Sequence, residues 1–319
     1  MEMRQLKMFC AVAECGSFTA AAEKVHTVQS NITMRIKELE SELGQPLFVR
    51  KKSGIVLTLA GQTFQGYARR ILQLTEESRS ALLPSAAPAG PLRLGSMETT
   101  AAVRLPPVLT RFREKYPAVR LSLATDTTAA LVKAVEDYRL DGAFIGGLQR
   151  NTALVQEEMF EEELVVASSR DYTSLAELSR AIPKQTVLVF RTGCFYRSTL
   201  EHWFYQTGLA PNEVMEMGTL DGILSCVASG MGVTLLPRTV IERCHLRSAL
   251  SIHRIPAEIA NVKTVFIRRN DVLPSSAMAA FIALSHERWA WELDGEPDSL
   301  RRPAQPEASA LSAADSSLH

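Results

Sequence analysis

Residues 16–40 constrain the fold more than any other part of the sequence, because they predict two short helices joined by a tight turn. In the second helix, for which Thr27 is the predicted N-cap, apolar residues recur at helical spacing. They form one narrow stripe, which consists of Val28, Ile32, Ile36, Leu39 and Leu43. The helix that ends at Gly16 and the helix that begins after Ser17 would bury this stripe, so the sequence predicts a small three-helix core.

The opposite side of the second helix is polar, as expected of a helix that enters the major groove of DNA. Gln29, in the first turn, carries an amide that can form two hydrogen bonds with adenine. The candidate DNA-binding residues of this helix are Gln29, Ser30, Thr33, Met34, Arg35 and Lys37. An amphipathic helix pair in an ordinary globular domain has the same pattern, so this segment alone leaves both interpretations open.

A predicted β-hairpin follows the helices. Residues 47–57 contain two short apolar runs around a Lys-Ser-Gly turn, and the turn gathers Arg50, Lys51 and Lys52 at its tip. Beside a recognition helix, such a hairpin is a wing, and its charges would meet phosphates or the minor groove. The alternative is an ordinary basic turn that is solvated on the protein surface.

These motifs together resemble the LysR-type transcriptional regulators. The residues that carry the resemblance are ordered and gapless: 9–23, 29–40, 43–44, 46–48 and 57–61. Family members usually have a basic residue near position 34, where this chain has Met34, so Arg35 and Lys37 become the candidates for backbone contacts. The resemblance implies double-stranded promoter DNA as a partner, a homodimer or homotetramer, and a small-molecule effector, and it allows RNA polymerase as a further partner.

Composition argues against several other classes of protein. The chain is neutral overall, but residues 1–83 hold 11 Lys and Arg against 8 Asp and Glu, which weakly favours a nucleic-acid-binding end. The first residues lead into an amphipathic helix with no apolar signal core, and no run approaches the roughly 18 apolar residues that span a bilayer. We therefore expect a cytoplasmic protein with no membrane partner.

No motif predicts catalysis or a bound metal. The 5 cysteines and 6 histidines show no metal-ligand spacing, and dinucleotide loops, phosphate loops and nucleophile elbows do not occur. We therefore expect no metal, no cofactor, no catalytic residue and no enzymatic activity.

One long helix is predicted from its cap, Thr58, to about Leu83. Its apolar positions share a stripe that a small domain is too short to cover, so the stripe needs a partner. The stripe consists of Phe64, Ala68, Ile71, Thr75, Ser78 and Leu82. We expect this helix to pair with its copy in a second subunit, because a symmetric operator requires two reading heads. The alternative is a helix that lies on the downstream domain.

A Pro- and Ala-rich hinge at residues 84–91 precedes a change of pattern. Short apolar strands then alternate with helices, including predicted helices at 101–112, 129–135 and 275–291, which is typical of a parallel sheet covered by helices. The predicted strands are 92–95, 119–123, 142–145, 164–167, 187–190, 233–236 and 262–267. We expect an α/β fold: two Rossmann-like lobes forming a periplasmic-binding-protein-like effector domain behind an N-terminal winged helix-turn-helix.

The predicted domain map has four parts. Residues 1–58 form the winged helix-turn-helix, 59–86 the linker helix and hinge, 87–294 the effector domain, and 295–319 a disordered tail rich in Pro, Ala and Ser. Within the effector domain, lobe I comprises about 91–162 and 266–293, and lobe II about 163–265.

The effector site is predicted beyond the carboxyl ends of the strands, where helix N-termini offer free N–H groups. The hydroxyls there suit a small polar or anionic metabolite, although helix capping explains each Ser or Thr equally well. Arg197 is the sharpest candidate, since a guanidinium can hold a carboxylate, and an internal salt bridge is the alternative. The candidate effector-binding residues are Ser96, Thr99, Thr100, Thr125, Thr127, Cys194, Tyr196, Arg197, Thr219 and Asp221.

Two other classes of function are weighed against this one. In a redox-sensing regulator, Cys194 near a helix N-terminus would have a depressed pKa and a reactive thiolate, with Cys226 as the resolving residue. The other alternative is an α/β enzyme with an accessory DNA-binding domain, which the missing catalytic constellation disfavours.

Overall fold

A computed structural model describes residues 1–51, 54–81 and 87–294. Predictions for Lys52, for residues 82–86 of the linker and hinge, and for the tail from residue 295 lie outside these residues. The N-terminal unit consists of α1 (Met3–Cys15), α2 (Phe18–Lys24), α3 (Gln29–Leu43), β1 (Phe48–Lys51) and β2 (Gly54–Leu57). β1 and β2 pair antiparallel, so the predicted wing is a hairpin.

The turns between the first helices follow the predicted chemistry with one exception. α1 ends at Gly16, whose φ of +61° is the left-handed conformation that glycine adopts without strain. The Ser17 hydroxyl accepts a hydrogen bond from the Ala20 amide at 3.4 Å and caps α2. Thr27 is not the N-cap of α3, and that prediction was wrong: Val28 precedes the first turn, and the Thr27 hydroxyl instead accepts a hydrogen bond from the Asn31 side chain.

The core of the N-terminal unit buries only the middle of the predicted α3 stripe. Ile32, Ile36 and Leu39 are fully buried, whereas Val28 and Leu43 are 64% and 38% exposed. The two ends of the stripe fall at the helix termini, one before the first turn and one at the last residue. The stripe is therefore three residues long in the fold.

α4 (Leu59–Ala81) starts at Thr58, whose hydroxyl accepts a hydrogen bond from the Gly61 amide at 3.0 Å. The first half of its predicted dimerisation stripe packs in its own domain: Ala68 is buried, and Phe64 and Ile71 pack into the core of the N-terminal unit. This half needs no second chain, because the start of α4 packs along α1. The pairing of α4 with its copy stays a prediction. The large apolar side chains that α4 leaves exposed lie elsewhere, at Leu59, Tyr67 and Leu74.

α4 also contacts the effector domain through polar groups. Arg69 is 8% exposed; its guanidinium donates to the Asp137 carbonyl at 3.4 Å and lies 3.8 Å from the Glu14 carboxylate. One turn further along α4, the Gln73 side chain accepts a hydrogen bond at 3.1 Å from Arg93 of the effector domain. The linker helix is thus tied to both the reading unit and the downstream domain.

The effector domain starts with a parallel βαβ arrangement. Its elements, which form lobe I, are β3 (Gly90–Ser96), α5 (Glu98–Val103), α6 (Leu105–Lys115), β4 (Val119–Thr125), α7 (Thr128–Glu136) and β5 (Gly142–Gly146). The single helix predicted at 101–112 is two helices that meet at Arg104, because Pro106 and Pro107 supply no backbone N–H and fit only the first turn of a new helix.

The strand β6 (Leu154–Ser168) leaves lobe I and enters lobe II. Lobe II contains α8 (Leu175–Ala181), β7 (Thr186–Phe190), α9 (Phe195–Thr207), β8 (Glu213–Met217), α10 (Leu220–Ala228), β9 (Gly232–Pro237), α11 (Arg238–Arg243), β10 (Ser251–Arg254) and α12 (Ala257–Ala260). β11 (Asn261–Arg269) returns antiparallel to β6, and α13 (Ser276–Asp294) packs on the core of lobe I.

The strands form the order β4-β3-β5-β11-β6-β9-β7-β8, with β10 beside β6. All predicted strands lie within observed ones; β8 and β10 were not predicted. The carboxyl ends of the parallel strands of each lobe face a cleft between the lobes. Across the part of the chain that the structure describes, no helix is both long and apolar enough to cross a membrane.

Candidate DNA-reading surface and effector cleft

The polar side of α3 forms an open depression of about 970 Å³. Five of the predicted DNA-binding residues line it, and sequence analysis did not include Glu38, Ser41 and Glu42, which continue the same face towards the end of the helix. The lining is Gln29, Ser30, Thr33, Met34, Lys37, Glu38, Ser41 and Glu42. These positions recur at helical spacing, so the period that predicted the first five also contains the last three.

Arg35 does not line this surface, and its role as a contact to the DNA backbone stays a prediction. Its guanidinium donates to the Glu38 carboxylate at 3.1 Å and lies 3.9 Å from that of Glu2. Met34, the departure from the family pattern, is 49% exposed on the reading face. The helix therefore presents an apolar side chain where a basic one is usual, and its remaining basic residue on this face is Lys37.

The wing stands beside α3 and carries two exposed basic residues, Arg50 and Lys51. Arg50 is paired with Ile55 across the hairpin. The Ile55 amide donates to the Gly16 carbonyl at 3.1 Å, which attaches the hairpin to the turn between α1 and α2. The geometry places the basic charges on an ordered strand next to the reading helix.

A cavity of about 90 Å³ lies between the lobes. Lobe I contributes the starts of α5 and α7 and the end of β4, and lobe II contributes the end of β7, the start of α9 and the turn before α10. The lining residues are Met97, Glu98, Thr99, Thr125, Asp126, Thr127, Thr128, Phe190, Arg191, Cys194, Tyr196 and Gly218.

Half of the predicted effector-binding residues line this cavity: Thr99, Thr125, Thr127, Cys194 and Tyr196. The other half lie outside the lining, and the capping alternative describes one of them. Thr219 accepts a hydrogen bond from the Gly222 amide at 3.2 Å and caps α10. The predicted residues outside the lining are Ser96, Thr100, Arg197, Thr219 and Asp221.

Arg197 forms an internal salt bridge, which is the alternative that the sequence left open for this residue. Its guanidinium lies 2.8 Å from the Glu201 carboxylate and 2.6 Å from that of Glu216, and it also donates to the Phe190 carbonyl. The hydrogen bond to Glu201, followed by that to Glu216, raises the pKa of Arg197. The same contact with Arg197 lowers the pKa of Glu216.

Cys194 lines the cavity but lacks the electrostatics of a redox sensor. Burial raises the pKa of its thiol, and this effect outweighs the backbone hydrogen bonds from Arg197 and Tyr196, which lower the pKa. The prediction of a depressed pKa was therefore wrong. All five cysteines are free thiols, and nothing in the fold favours the redox alternative.

Side chains join the lobes across the cavity. The Glu98 carboxylate of lobe I accepts a hydrogen bond from the Leu220 amide, at the start of α10 in lobe II, at 2.8 Å. The hydroxyls of Thr99 and Tyr196, both buried, lie 3.4 Å apart. The Asp126 carboxylate of lobe I and the Arg191 guanidinium of lobe II lie 3.5 Å apart.

Seven lining residues are absent from the candidates named from the sequence: Met97, Glu98, Asp126, Thr128, Phe190, Arg191 and Gly218. Phe190 and Arg191 stand at the end of β7, so the strand-end rule that selected their neighbours could have found them. Gly218 follows β8, whose sequence Glu-Val-Met-Glu-Met has no strict alternation and was not predicted as a strand. The strand-end rule could not select this loop, because the strand before it was not predicted.

A buried ion pair lies at the hinge between the lobes. Arg104, between α5 and α6, donates to Glu162 of β6 at 2.8 and 3.1 Å, and both side chains are less than a tenth exposed. The Thr239 hydroxyl of α11 donates to the same carboxylate at 3.0 Å. One carboxylate on the connecting strand thus holds a group from each lobe.

A helix-turn-helix reading surface, joined by a long helix to a two-lobed domain with a central cavity, defines the class of helix-turn-helix DNA-binding regulators. Two family models match the chain: "Bacterial regulatory helix-turn-helix protein, lysR family" over residues 3–62, and "LysR substrate binding domain" over residues 85–290. The chain belongs to the LysR family of bacterial transcriptional regulators.

Similar proteins agree with this assignment. The chain is 42% identical to the HTH-type transcriptional regulator GltR of Bacillus subtilis over 288 residues, covering 90% of this chain and 96% of that protein. It is 38% identical to the HTH-type transcriptional regulator CzcR of Bacillus cereus, with 90% and 98% covered. These relatives are transcriptional regulators, not enzymes, so the predicted family and non-enzymatic function are confirmed.

Solved structures show the same architecture. The structure of full-length CbnR complexed with its target DNA matches with a TM-score of 0.62 at 26% identity, covering 90% of this chain and 99% of that chain. A full-length OxyR variant from Pseudomonas aeruginosa matches with a TM-score of 0.71 at 22% identity, over 90% and 94%. The predicted fold class is confirmed.

Proposed function

We propose that this regulator binds promoter DNA as a homo-oligomer and that a small polar molecule in the cavity between the lobes changes its DNA affinity. The observation that carries the proposal is the cavity itself: contacts from both lobes meet there, between Glu98 and Leu220 and between Thr99 and Tyr196. A molecule that enters this space interacts differently with open and closed lobes, and such a difference in affinity is what allosteric control requires.

The route from the cavity to the DNA passes through lobe I and α4. The cavity-lining segment of α7 leads to Asp137, whose carbonyl accepts the hydrogen bond from buried Arg69 of α4. Arg69 in turn lies beside Glu14 of α1 in the reading unit. A change in the angle between the lobes would therefore move or release α4, and with it the reading head.

The proposed DNA contacts divide into two kinds. Gln29, Ser30, Thr33, Met34 and Lys37 would face the major groove, and Arg50 and Lys51 of the wing would contact phosphates. As an experiment, full-length protein is used to select binding sites from random duplexes, and affinity for the selected site is then measured with and without a metabolite panel. An affinity that no small molecule changes would contradict the effector proposal while leaving DNA binding intact.

The proposed oligomer contact is the exposed side of α4, where Leu59, Tyr67 and Leu74 recur at helical spacing. Tyr67→Glu and Leu74→Glu should shift the protein towards monomer in sedimentation velocity, with exposed Gln62→Glu as the control. Unchanged sedimentation of the variant that carries both substitutions would contradict this subunit contact.

We also propose the domain limits given by the sequence, and the cytoplasm as the location of the protein, because the promoter DNA lies there.

A further inference from the structure

The charges that line the cavity are unbalanced. Two carboxylates, Glu98 and Asp126, and one basic residue, Arg191, are among the lining residues. Arg191 lies 3.5 Å from Asp126, which leaves the charge of Glu98 without an opposite charge in the lining. Arg197, which follows the lining residue Tyr196, is occupied by Glu201 and Glu216.

At two of the four helix starts around the cavity, backbone donors that would attract an anion are already used by the protein. At the start of α10, the Leu220 amide donates to Glu98, and the Gly222 amide donates to the capping Thr219. At the start of α7, the Thr127 amide donates to the Asp126 carboxylate at 2.8 Å. At these two helix N-termini an anionic ligand would meet carboxylates of this chain, and would be repelled by them.

Acceptor atoms remain instead. Within the described residues, the second carboxylate oxygens, Glu98 Oε2 and Asp126 Oδ2, accept no hydrogen bond from the protein. Carboxylates that line a cavity and keep unused lone pairs favour a ligand that donates hydrogen bonds and carries positive charge.

A second, independent observation concerns the buried hydroxyl pair of Thr99 and Tyr196. Both residues are 3% exposed and line the cavity, and one hydroxyl donates to the other at 3.4 Å. The two hydroxyls carry two hydrogens, and one of these forms the hydrogen bond between Thr99 and Tyr196. Since the structure gives the pair no other acceptor among the described residues, one buried O–H donor stays available to an acceptor atom in the cavity.

We propose that the effector is a small amine: an ammonium group held by Glu98 and Asp126, with a neutral oxygen accepting a hydrogen bond from the Thr99 and Tyr196 pair. This inference rests on the proposed function, in that the cavity is taken as the effector site, and it replaces the expectation of an anionic ligand. The cavity volume of about 90 Å³ restricts the buried part of the ligand to a few non-hydrogen atoms. Burial also raises the pKa of Tyr196, so its hydroxyl remains a donor at physiological pH.

The test uses three probes of nearly equal size with full-length protein: glycinamide, which is a cation, glycolamide, which is neutral, and glycolate, which is an anion. Binding is measured by thermal shift and by titration calorimetry at constant ionic strength, because salt screens charges. We expect glycinamide to bind at least tenfold more tightly than glycolate, with glycolamide between them.

Glu98→Gln and Asp126→Asn remove the charge and keep the shape, and each should reduce the preference for glycinamide over glycolate about tenfold. Glu98→Gln retains an acceptor for the Leu220 amide, and Asp126→Asn provides a second variant if the first destabilises the protein. The control is Glu258→Gln, which alters an exposed carboxylate in the first turn of α12, also in lobe II but outside the lining, and which should leave the preference unchanged.

Glycolate that binds as tightly as glycinamide would overturn the charge inference and leave the proposed effector site standing. An equal loss of preference in Glu258→Gln would also overturn it, because the effect would then come from the overall field of the lobe. If none of the probes binds, the amine inference fails. The proposed function is then judged separately by whether a metabolite panel changes the operator affinity of the wild-type protein.

Discussion

The reading surface and the cavity differ in how their side chains are assembled. The reading surface is one face of one helix, with its hydrogen-bonding groups open to solvent and able to meet a partner. The cavity is built from five separate segments of two lobes, and several of its polar groups already bond to each other. Substitutions on the reading surface should therefore change binding with little effect on folding, whereas substitutions around the cavity and its hinge should affect both.

The largest effect is expected at the hinge. Glu162→Gln removes the carboxylate charge that pairs with buried Arg104 and accepts from Thr239, and we expect the free energy of unfolding to fall by roughly 3 kcal/mol, because a buried charge-assisted pair is broken. The measurement is chemical denaturation of the full-length protein. Glu158→Gln, on the same strand, breaks the exposed pair with Lys263 and serves as the control, with an expected change below about 0.5 kcal/mol. Equal effects of the two variants would remove the distinction between the regions.

On the reading surface, Gln29→Ala should leave the free energy of unfolding within about 0.5 kcal/mol of wild type. The ratio of affinities for the selected site and for random DNA should fall by roughly tenfold, since one bidentate base contact contributes about 1–3 kcal/mol. Competition titrations measure this ratio. Gln45→Ala, an exposed glutamine outside the reading face, is the matched control. A preserved ratio in Gln29→Ala would show that this residue does not read a base.

An intermediate effect is expected where α4 meets lobe I. Hydrogen bonding to Arg269 lowers the pKa of Asp271 to about 2, and Arg70 of α4 lies 3.7 Å from it. Since the carboxyl has its ordinary pKa in the unfolded chain, its contribution is present above that value and is lost as the pH falls towards 2. For this partly exposed group we expect about 1 kcal/mol.

The measurement for Asp271 is the free energy of unfolding between pH 5 and pH 2.5, compared with that of Asp271→Asn. The variant should show a smaller loss of stability on acidification than wild type, because its side chain does not titrate. Identical acid profiles for the two proteins would mean that the pair with Arg269 adds no stability.

The smallest effect is expected at the wing. Arg50→Ala should weaken binding to all DNA sequences alike and reduce the slope of log affinity against log salt by about 1, because one phosphate contact is lost. Fluorescence anisotropy over a range of salt concentrations measures the slope. Arg113→Ala, an exposed arginine of α6, should not change it. A loss confined to the selected site would assign Arg50 a role in reading bases.

The reading surface could be predicted from sequence because a helix repeats every 3.6 residues, so the buried positions of α3 determine which positions face outward. The exceptions have local causes that periodicity does not contain. The Arg35 guanidinium pairs with Glu38 and Glu2. Val28 precedes the first residue of α3, so it does not join the buried stripe. These are contacts made by the folded unit, one of them with a residue more than thirty positions away.

The cavity could be predicted only as a set of loops. The strand-end rule placed Thr99, Thr125, Thr127, Cys194 and Tyr196 in the right neighbourhood. It could not separate ligand-facing side chains from caps and internal pairs, because the hydroxyl of Thr219 and the guanidinium of Arg197 have the same chemistry in either role. The partner of each group was decided by which strands the topology brought together.

The local sequence pattern encodes the helix-turn-helix, the wing and the alternation of strands and helices, since each depends on interactions between residues close in the chain. The same motifs were sufficient to identify the family. The tertiary structure alone decided that the first half of the α4 stripe packs on α1, that Arg104 and Thr239 share Glu162, and that Glu98 fills the N-terminus of α10. The last of these contacts joins residues more than a hundred positions apart. Its energy depends on desolvation and on the arrangement of two lobes, which no local pattern encodes.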